Sequence, residues 1–336
     1  MDITEIDVAA ELAQYDWINA TWSDTKLIAA SPFRDDRHPS FFVNLDCASP
    51  YYGKWADSGA VDDRWHSGDF VKLLAFLRQE SEDESEDYLR FMYCTTPASG
   101  APDSLRPRSL HSIAKAPPPT LDPSILLPYR RHHPYLSDRG ITADVQRRMQ
   151  IGYSATDQAV TIPWFDAGGR LCNVMYRKVR GKAFWYHRGG RPIRELVYGA
   201  NVLHEDNVRE AVICEAPIDA LTVMSAGHHS IAVGGTAFGR SKRDILIRSP
   251  LESVIIMADH DEPGQALKRR IIRELSGYMT VKIAGYPYRA KDINEYAEKF
   301  SLASVAKSIE RAKTVDLSVR KRLSDSFDTR RRVGRG

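Results

Sequence analysis

The chain has 336 residues, 43% of them hydrophobic, and a net charge of only +3, which leaves room for two or three domains. No uninterrupted apolar stretch reaches the length of a transmembrane helix. The four scattered cysteines, Cys47, Cys94, Cys172 and Cys214, form no C-x-x-C and so exclude a disulfide framework and a zinc ribbon.

The first segment, MDITEIDVAAELAQ, is acidic and amphipathic, the opposite of a signal or transit peptide, so a cytoplasmic protein is expected. Charge is unevenly spread. Residues 1–95 carry 8 Lys/Arg against 19 Asp/Glu, a balance of −11, whereas residues 96–336 carry +14. An acidic head on a basic body points to nucleic-acid contact by the body. SEDESED, residues 81–87, reads as a solvated helix surface or loop, and the Pro-rich residues 96–123 read as a semi-rigid linker. In residues 134–154, Ser137 or Asp138 and Thr142 are cap candidates. With Gly140 as a break, they predict two short helices.

Residues 159–186 alternate apolar and polar around Asp166, Ala167, Gly168 and Gly169, which predicts a β-hairpin. Here Arg177, Lys178, Arg180 and Lys182 are interleaved with Tyr176, Phe184, Trp185 and Tyr186. Cations for phosphates and rings for bases suit a single-stranded track. The same pattern also fits a half-buried strand with a solvated basic face.

Five carboxylates carry the chemistry. Glu215 and Asp219, in AVICEAPIDA, follow an apolar run at 211–214; Asp259 and Asp261, in VIIMADHDEPG, follow another at 254–258; Asp292 lies in AKDINEY. An apolar run ended by acids and followed by a helical pattern predicts a buried parallel strand feeding a helix. Acids at such strand ends line the ligand crevice of open α/β sheets. Glu215 and Asp219, four apart, share one face of a starting helix. Asp259 and Asp261, two apart, point the same way on an extended segment. Gly264 allows close backbone approach before a helix expected over 265–275. Converging carboxylates repel one another unless cations neutralise them, and Mg²⁺ prefers an all-oxygen site, so metal-assisted phosphoryl transfer is expected. Either acidic group alone would read as helix caps and surface carboxylates. Both in order, with GGTAFG at 234–239 between them, favour the metal site. An amphipathic helix is expected over 302–313, followed by a basic tail suited to non-specific nucleic-acid contact.

These motifs resemble the TOPRIM domain of topoisomerases, bacterial-type (DnaG-like) primases and some nucleases, with a Glu at one strand end and Asp-x-Asp at a later one. Residues 134–154 resemble the entry to the RNA-polymerase core of those primases. Their hairpin arginine and lysine fall at Arg177 and Lys182, and KDINEY resembles a segment of many TOPRIM primases. Residues 31–44, 53–60 and 65–77 follow the plan of the primase zinc finger, but its four ligand positions hold Ser31, Arg34, Trp55 and Ser58. None binds Zn²⁺ as a thiolate or imidazole would. Cys47, His38 and His66 fit no metal spacing, so no zinc is expected, and packing by Phe33, Phe41, Phe42, Trp55, Trp65 and Phe70 would replace it. Ala216-Pro217 stands where the family has Gly after the Glu, and His260 between the aspartates is unusual.

The resemblance implies an α/β fold: a TOPRIM catalytic core with a Rossmann-like, mostly parallel sheet, and a small α+β N-terminal module lacking zinc. The implied division is residues 1–95 for that module, 96–123 for the linker, 124–205 for the first part of the core, 206–300 for the TOPRIM domain, and 301–336 for a helix and tail. The implied activity is that of a primase-like nucleotidyltransferase making short primers on single-stranded DNA, with a phage or mobile element as expected source. Glu215, Asp259 and Asp261 would be catalytic; together with Asp219 and Asp292 they would hold Mg²⁺ or Mn²⁺. Arg177, Lys178, Arg180, Lys182 and Lys291 would bind the template or nucleoside triphosphates. The acidic head, repelled by phosphate, is expected to meet a helicase or other replication protein. A TOPRIM nuclease and a non-catalytic subunit binding single strands are the alternatives.

Overall fold

A computed structural model describes residues 2–94 and 120–315, apart from 16, 35, 37, 61, 79, 80, 182, 236 and 237. Most of the expected linker, the basic tail and Lys182 lie outside the described residues. The chain forms two compact units. The first comprises Met1–His133, Gln150–Phe165 and Arg170–Glu195; the second comprises Pro134–Met149, Asp166–Gly169 and Leu196–Gly336.

In the first unit, α1 (Val8–Leu12) precedes an antiparallel sheet in the order β1 (Thr21–Trp22), β2 (Lys26–Ala29), β3 (Phe41–Asn44), β4 (Trp55–Asp57) and β5 (Ser67–Gly68). Alternation along β3 turns Phe41 and Val43 inward. Next come α2 (Phe70–Arg78) and α3 (Glu82–Leu89). The acidic run is helical because Ser81 and Glu84 form a capping box and the first-turn acids favour the positive end of the helix dipole.

A second antiparallel sheet holds β6 (Gly152–Ser154), β7 (Ala159–Phe165), β8 (Leu171–Lys178) and β9 (Phe184–Tyr186) in that order. The expected hairpin is therefore present as β7–β8. Gly169 closes its turn at φ 74°, a conformation glycine adopts without strain. One apolar core joins Leu27, Phe41, Trp55 and Phe70 of the head to Val174, Tyr176 and Trp185 of this sheet. The Arg78 guanidinium lies 3.8 Å from the Tyr88 ring centroid and 4.1 Å from that of Phe184, and donates to the Phe184 carbonyl. Tyr176 and Trp185 stack at 5.4 Å and are only 5% and 7% exposed. Those two rings are core, not stacking surfaces for bases, because they pack on each other, with Tyr129 edge-on to Tyr176, inside the core shared with the head.

The zinc-finger ligand positions of the head are occupied by a polar and aromatic network. Arg34 Nη2 donates to Asp36 Oδ2 at 2.8 Å, Ser40 Oγ at 2.7 Å and Asp57 Oδ1 at 3.2 Å. Ser58 Oγ donates to the Ser40 carbonyl, while Trp55 Nε1 donates to the Asp69 carbonyl and its ring packs against Phe33 and Phe41. Burial alone would raise the Asp57 carboxyl, yet hydrogen bonds from Ser31, Arg34, Ser40 and the Gly59 amide hold it below its ordinary range. Elemental analysis of purified protein should find no stoichiometric zinc; about one zinc per chain would revive a site built on Cys47 or a histidine.

The second unit opens with α4 (Tyr135–Asp138) and α5 (Ala143–Arg148), the two short helices expected there. Gly140 breaks them at φ 77°, and the Thr142 side chain caps α5; neither Ser137 nor Asp138 caps α4, whose N-cap is Pro134. After α6 (Ala200–Glu205), the chain alternates β10 (Glu210–Cys214), α7 (Pro217–Ser225), β11 (Ser230–Ala232), α8 (Arg240–Ile247), β12 (Ser253–Ile256), α9 (Glu262–Leu275) and β13 (Thr280–Ile283). It ends in α10 (Ile293–Lys299), α11 (Leu302–Glu310) and β14 (Lys313–Thr314). The sheet order is β11-β10-β12-β13-β14, parallel throughout except for β14. Helix α9 starts at Glu262, earlier than expected, because Asp261 caps it and Pro263 suits its first turn. Helix α11 stops at Glu310, short of 313, because Lys313 and Thr314 pair with Ile283 and Lys282 instead.

Candidate active site

Strand order decides where the acids meet. The strand order, with β10 between β11 and β12, places a topological switch point between β10 and β12, where open α/β sheets bind ligands at the carboxyl ends of their strands. Glu215 follows β10, and Asp259 and Asp261 follow β12. Asp292 follows the neighbouring parallel strand β13 and caps α10. Neighbouring parallel strands thus deliver acids to one edge of the sheet.

Glu215 is 3% exposed, and its Oε1 lies 3.4 Å from the Asp259 amide nitrogen. A Cβ added at Gly264 would sit 2.7 Å from that oxygen and 2.5 Å from the Asp259 carbonyl, so only glycine permits the approach. Asp219, in the first turn of α7 and 6% exposed, accepts from the Asn294 amide at 3.1 Å. Asp261 accepts the Gly264 amide at 2.9 Å, and Asp292 accepts the Glu295 amide at 2.7 Å. Those two acids therefore cap helices while standing at the site. Ala216 is extended and Pro217 begins α7, so the altered motif keeps a strand-to-helix turn.

Electrostatics joins the acids. Burial, and then the charges of Asp292 and Asp261, push the Asp259 carboxyl from its ordinary 3.8 up to about 7, against the Tyr286 hydroxyl and the Lys291 cation. Burial, and then Asp292, Asp259 and Glu215, push Asp219 well up. Among the described residues, no three His, Cys, Asp or Glu side chains stand at the mutual distances of an assembled metal site. The carboxylates feel one another's charge without forming a closed cage. All-oxygen donors with unneutralised charge fit a hard divalent cation such as Mg²⁺ or Mn²⁺; Asp261 and Asp292 would exchange their capping bonds to join it.

Asp259 takes up its proton more readily folded than unfolded, so its contribution is full below about pH 4 and lost as pH rises through about 7. Mg²⁺, which binds the ionised form, should therefore raise the unfolding temperature relative to chelator-treated protein more at pH 8 than at pH 5.5. Equal increments at the two pH values would show that no ion engages these acids.

The basic candidates divide between the units. In the first, Arg177 is half-buried and Arg180 is exposed, while Lys178 Nζ donates to the Asp157 carbonyl at 2.7 Å. In the second, Lys291 is exposed and its charge acts on Asp259. Several residues behind the acids had no role in the sequence reading. Asn294 holds Asp219 through its amide, donates from Nδ2 to Thr222 Oγ1 and the Arg139 carbonyl at 3.0 Å, and accepts from Arg139 at 2.7 Å. The Tyr286 hydroxyl donates to Asp259 Oδ1 at 3.2 Å. The only sequence signal for Asn294 was its place in KDINEY.

Residues 212–297 match the model of the Toprim-like family. No curated protein matches the sequence. Among solved structures, the zinc-binding and RNA polymerase domains of the Aquifex aeolicus primase align with a TM-score of 0.50 and 19% identity, over 98% of this chain and 88% of that one. A DNA primase domain from Pseudomonas aeruginosa gives 0.48 and 16%, over 57% of this chain and 78% of that one. The primase fragment of the Bacteriophage T7 primase-helicase protein gives 0.43 and 19%, over 57% and 82%. The fold likeness rests on the first of these.

Proposed function

Starting from a Toprim-like domain at residues 212–297 and a primase-like fold, we propose that this protein is a metal-dependent nucleotidyltransferase that makes short primers on single-stranded DNA. The observation that carries this reading is the meeting of Glu215 and Asp259 at the switch point of a parallel sheet, with Asp219, Asp261 and Asp292 around them. Glu215, Asp219, Asp259, Asp261 and Asp292 hold the ion. A bound Mg²⁺ or Mn²⁺ supplies charge neutralisation for a triphosphate and a lowered pKa for an attacking 3′-hydroxyl. Asn294 fixes Asp219, and Tyr286 fixes Asp259, so both carboxylates keep their aim. Lys291 adds positive charge beside Asp259. Arg177, Lys178, Arg180 and Lys182 bind the template or triphosphate through phosphate contacts. The acidic head serves a helicase or another replication protein rather than the strand.

Sizing the products of incubation with single-stranded DNA, labelled nucleotides and Mg²⁺ or Mn²⁺ tests this. Labelled oligomers that need nucleoside triphosphates are expected. Shortened DNA without nucleotides would instead identify a nuclease using the same acids. Strand binding with no metal-dependent product would identify a non-catalytic subunit, the reading that the capping duties of Asp261 and Asp292 favour.

A further inference from the structure

Aromatic rings form a ladder beside the acids. Tyr288 lies on His260 with ring centroids 4.3 Å apart, His260 on Tyr286 at 4.2 Å, Tyr286 on Tyr296 at 5.7 Å, and Tyr296 on Phe300 at 5.3 Å. Its middle is fixed. Tyr286 and Tyr296 are 6% and 7% exposed, and His260 Nε2 donates to the Tyr286 carbonyl at 2.9 Å. The Tyr286 hydroxyl also ties the ladder to the candidate site through Asp259 Oδ1. The top rung differs. Tyr288 is 87% exposed, the most exposed large hydrophobic among the described residues, with Arg289 and Lys291 exposed near it in sequence.

An outermost ring so exposed gains little from packing, yet it extends a ladder of rings whose Tyr286 hydroxyl holds Asp259 of the candidate site. Flat faces of this kind attract a flat π-system, and neighbouring cations attract an anion attached to it. A nucleotide combines the two. We propose that Tyr288, backed by His260, is a stacking platform for a nucleobase whose phosphates lie at the acidic site. The platform rests on the nucleotidyl-transfer reading of those acids. It tolerates all four bases, because every base offers a π-face. The base belongs either to a nucleoside triphosphate or to a single strand.

Three probes test this with Mg²⁺ present: 2-aminopurine riboside triphosphate, a single-stranded oligonucleotide carrying 2-aminopurine, and base-less inorganic tripolyphosphate. Stacking quenches 2-aminopurine fluorescence, so the readout is independent of turnover. Tyr288→Ala should lose the quenching and weaken the base-carrying probe by about 5- to 150-fold, the usual cost of removing a stacked ring. Tyr288→Phe should keep both, and tripolyphosphate should bind all three proteins alike. A loss confined to the triphosphate assigns the base to the incoming nucleotide, and one confined to the oligonucleotide assigns it to the strand. The platform is overturned if Tyr288→Ala binds both base-carrying probes like the parent, if tripolyphosphate weakens equally, or if the parent quenches neither. The acidic-site reading fails separately, if Asp259→Ala leaves Mg²⁺-dependent tripolyphosphate binding intact.

Discussion

Asp259→Ala and Glu215→Gln should each lower nucleotide incorporation by about 10³-fold or more, since each removes part of the proposed metal site, where charge stabilisation is worth several kcal/mol. The fold should survive. Asp259 is already pushed up to about 7 by burial and its acidic neighbours, so deleting its charge relieves repulsion. In metal-free buffer at pH 8, Asp259→Ala should unfold at the same temperature as the parent or slightly higher. Unchanged incorporation in both variants would remove the cluster from the chemistry.

Arg34→Ala should destabilise the first unit by about 2–3 kcal/mol. Removing one partner of a buried ion pair costs roughly 3–5 kcal/mol, and the figure is reduced here because the Arg34 side chain is 31% exposed. Asp57, whose side chain is only 1% exposed, would keep its charge without a guanidinium and with Asp36 still near Ser40. Asp57→Asn in the Arg34→Ala background should recover part of the loss, because it removes the stranded charge. The effect should reach the hairpin, since head and hairpin share one core. Chemical denaturation followed by Trp fluorescence measures it. Parent-like stability in Arg34→Ala would show that this network does not stand in for a metal.

The same core means that removing residues 1–95 would take away much of the apolar cluster to which Tyr176 and Trp185 belong. Charge substitutions in the intact chain, such as Arg180→Ala, isolate the contribution of the basic residues more cleanly.

Glu215, Asp219, Asp259 and Asp261 were legible because each pair follows an apolar run, and burial with strand-end position is a local signal; Asp292 had only its place in AKDINEY. Glu215 and Asp259 needed only the alternation of apolar runs and helical patterns around them. Their supports were not legible, because they come from distant parts of the chain: Asn294 is 75 positions from Asp219 and 155 from Arg139. The hairpin was readable from its period and turn, but its rings were misjudged. Alternation shows that a face is covered and not what covers it; Tyr176 and Trp185 belong to a core shared with the head. Arg34 read as a lost ligand, because a single position does not reveal that Asp36, Ser40 and Asp57 gather around it. Strand β14 escaped because two residues after a helix carry no period of their own.

The most direct measurement is Mn²⁺ binding by the intact protein, followed by the paramagnetic resonance of the free ion and competed with Mg²⁺. The parent should bind Mn²⁺ more tightly at pH 8 than at pH 6, with Asp259→Ala and Glu215→Gln each losing that binding. A parent that leaves the ion free at both pH values, or variants that bind it as the parent does, would contradict a metal site at these carboxylates.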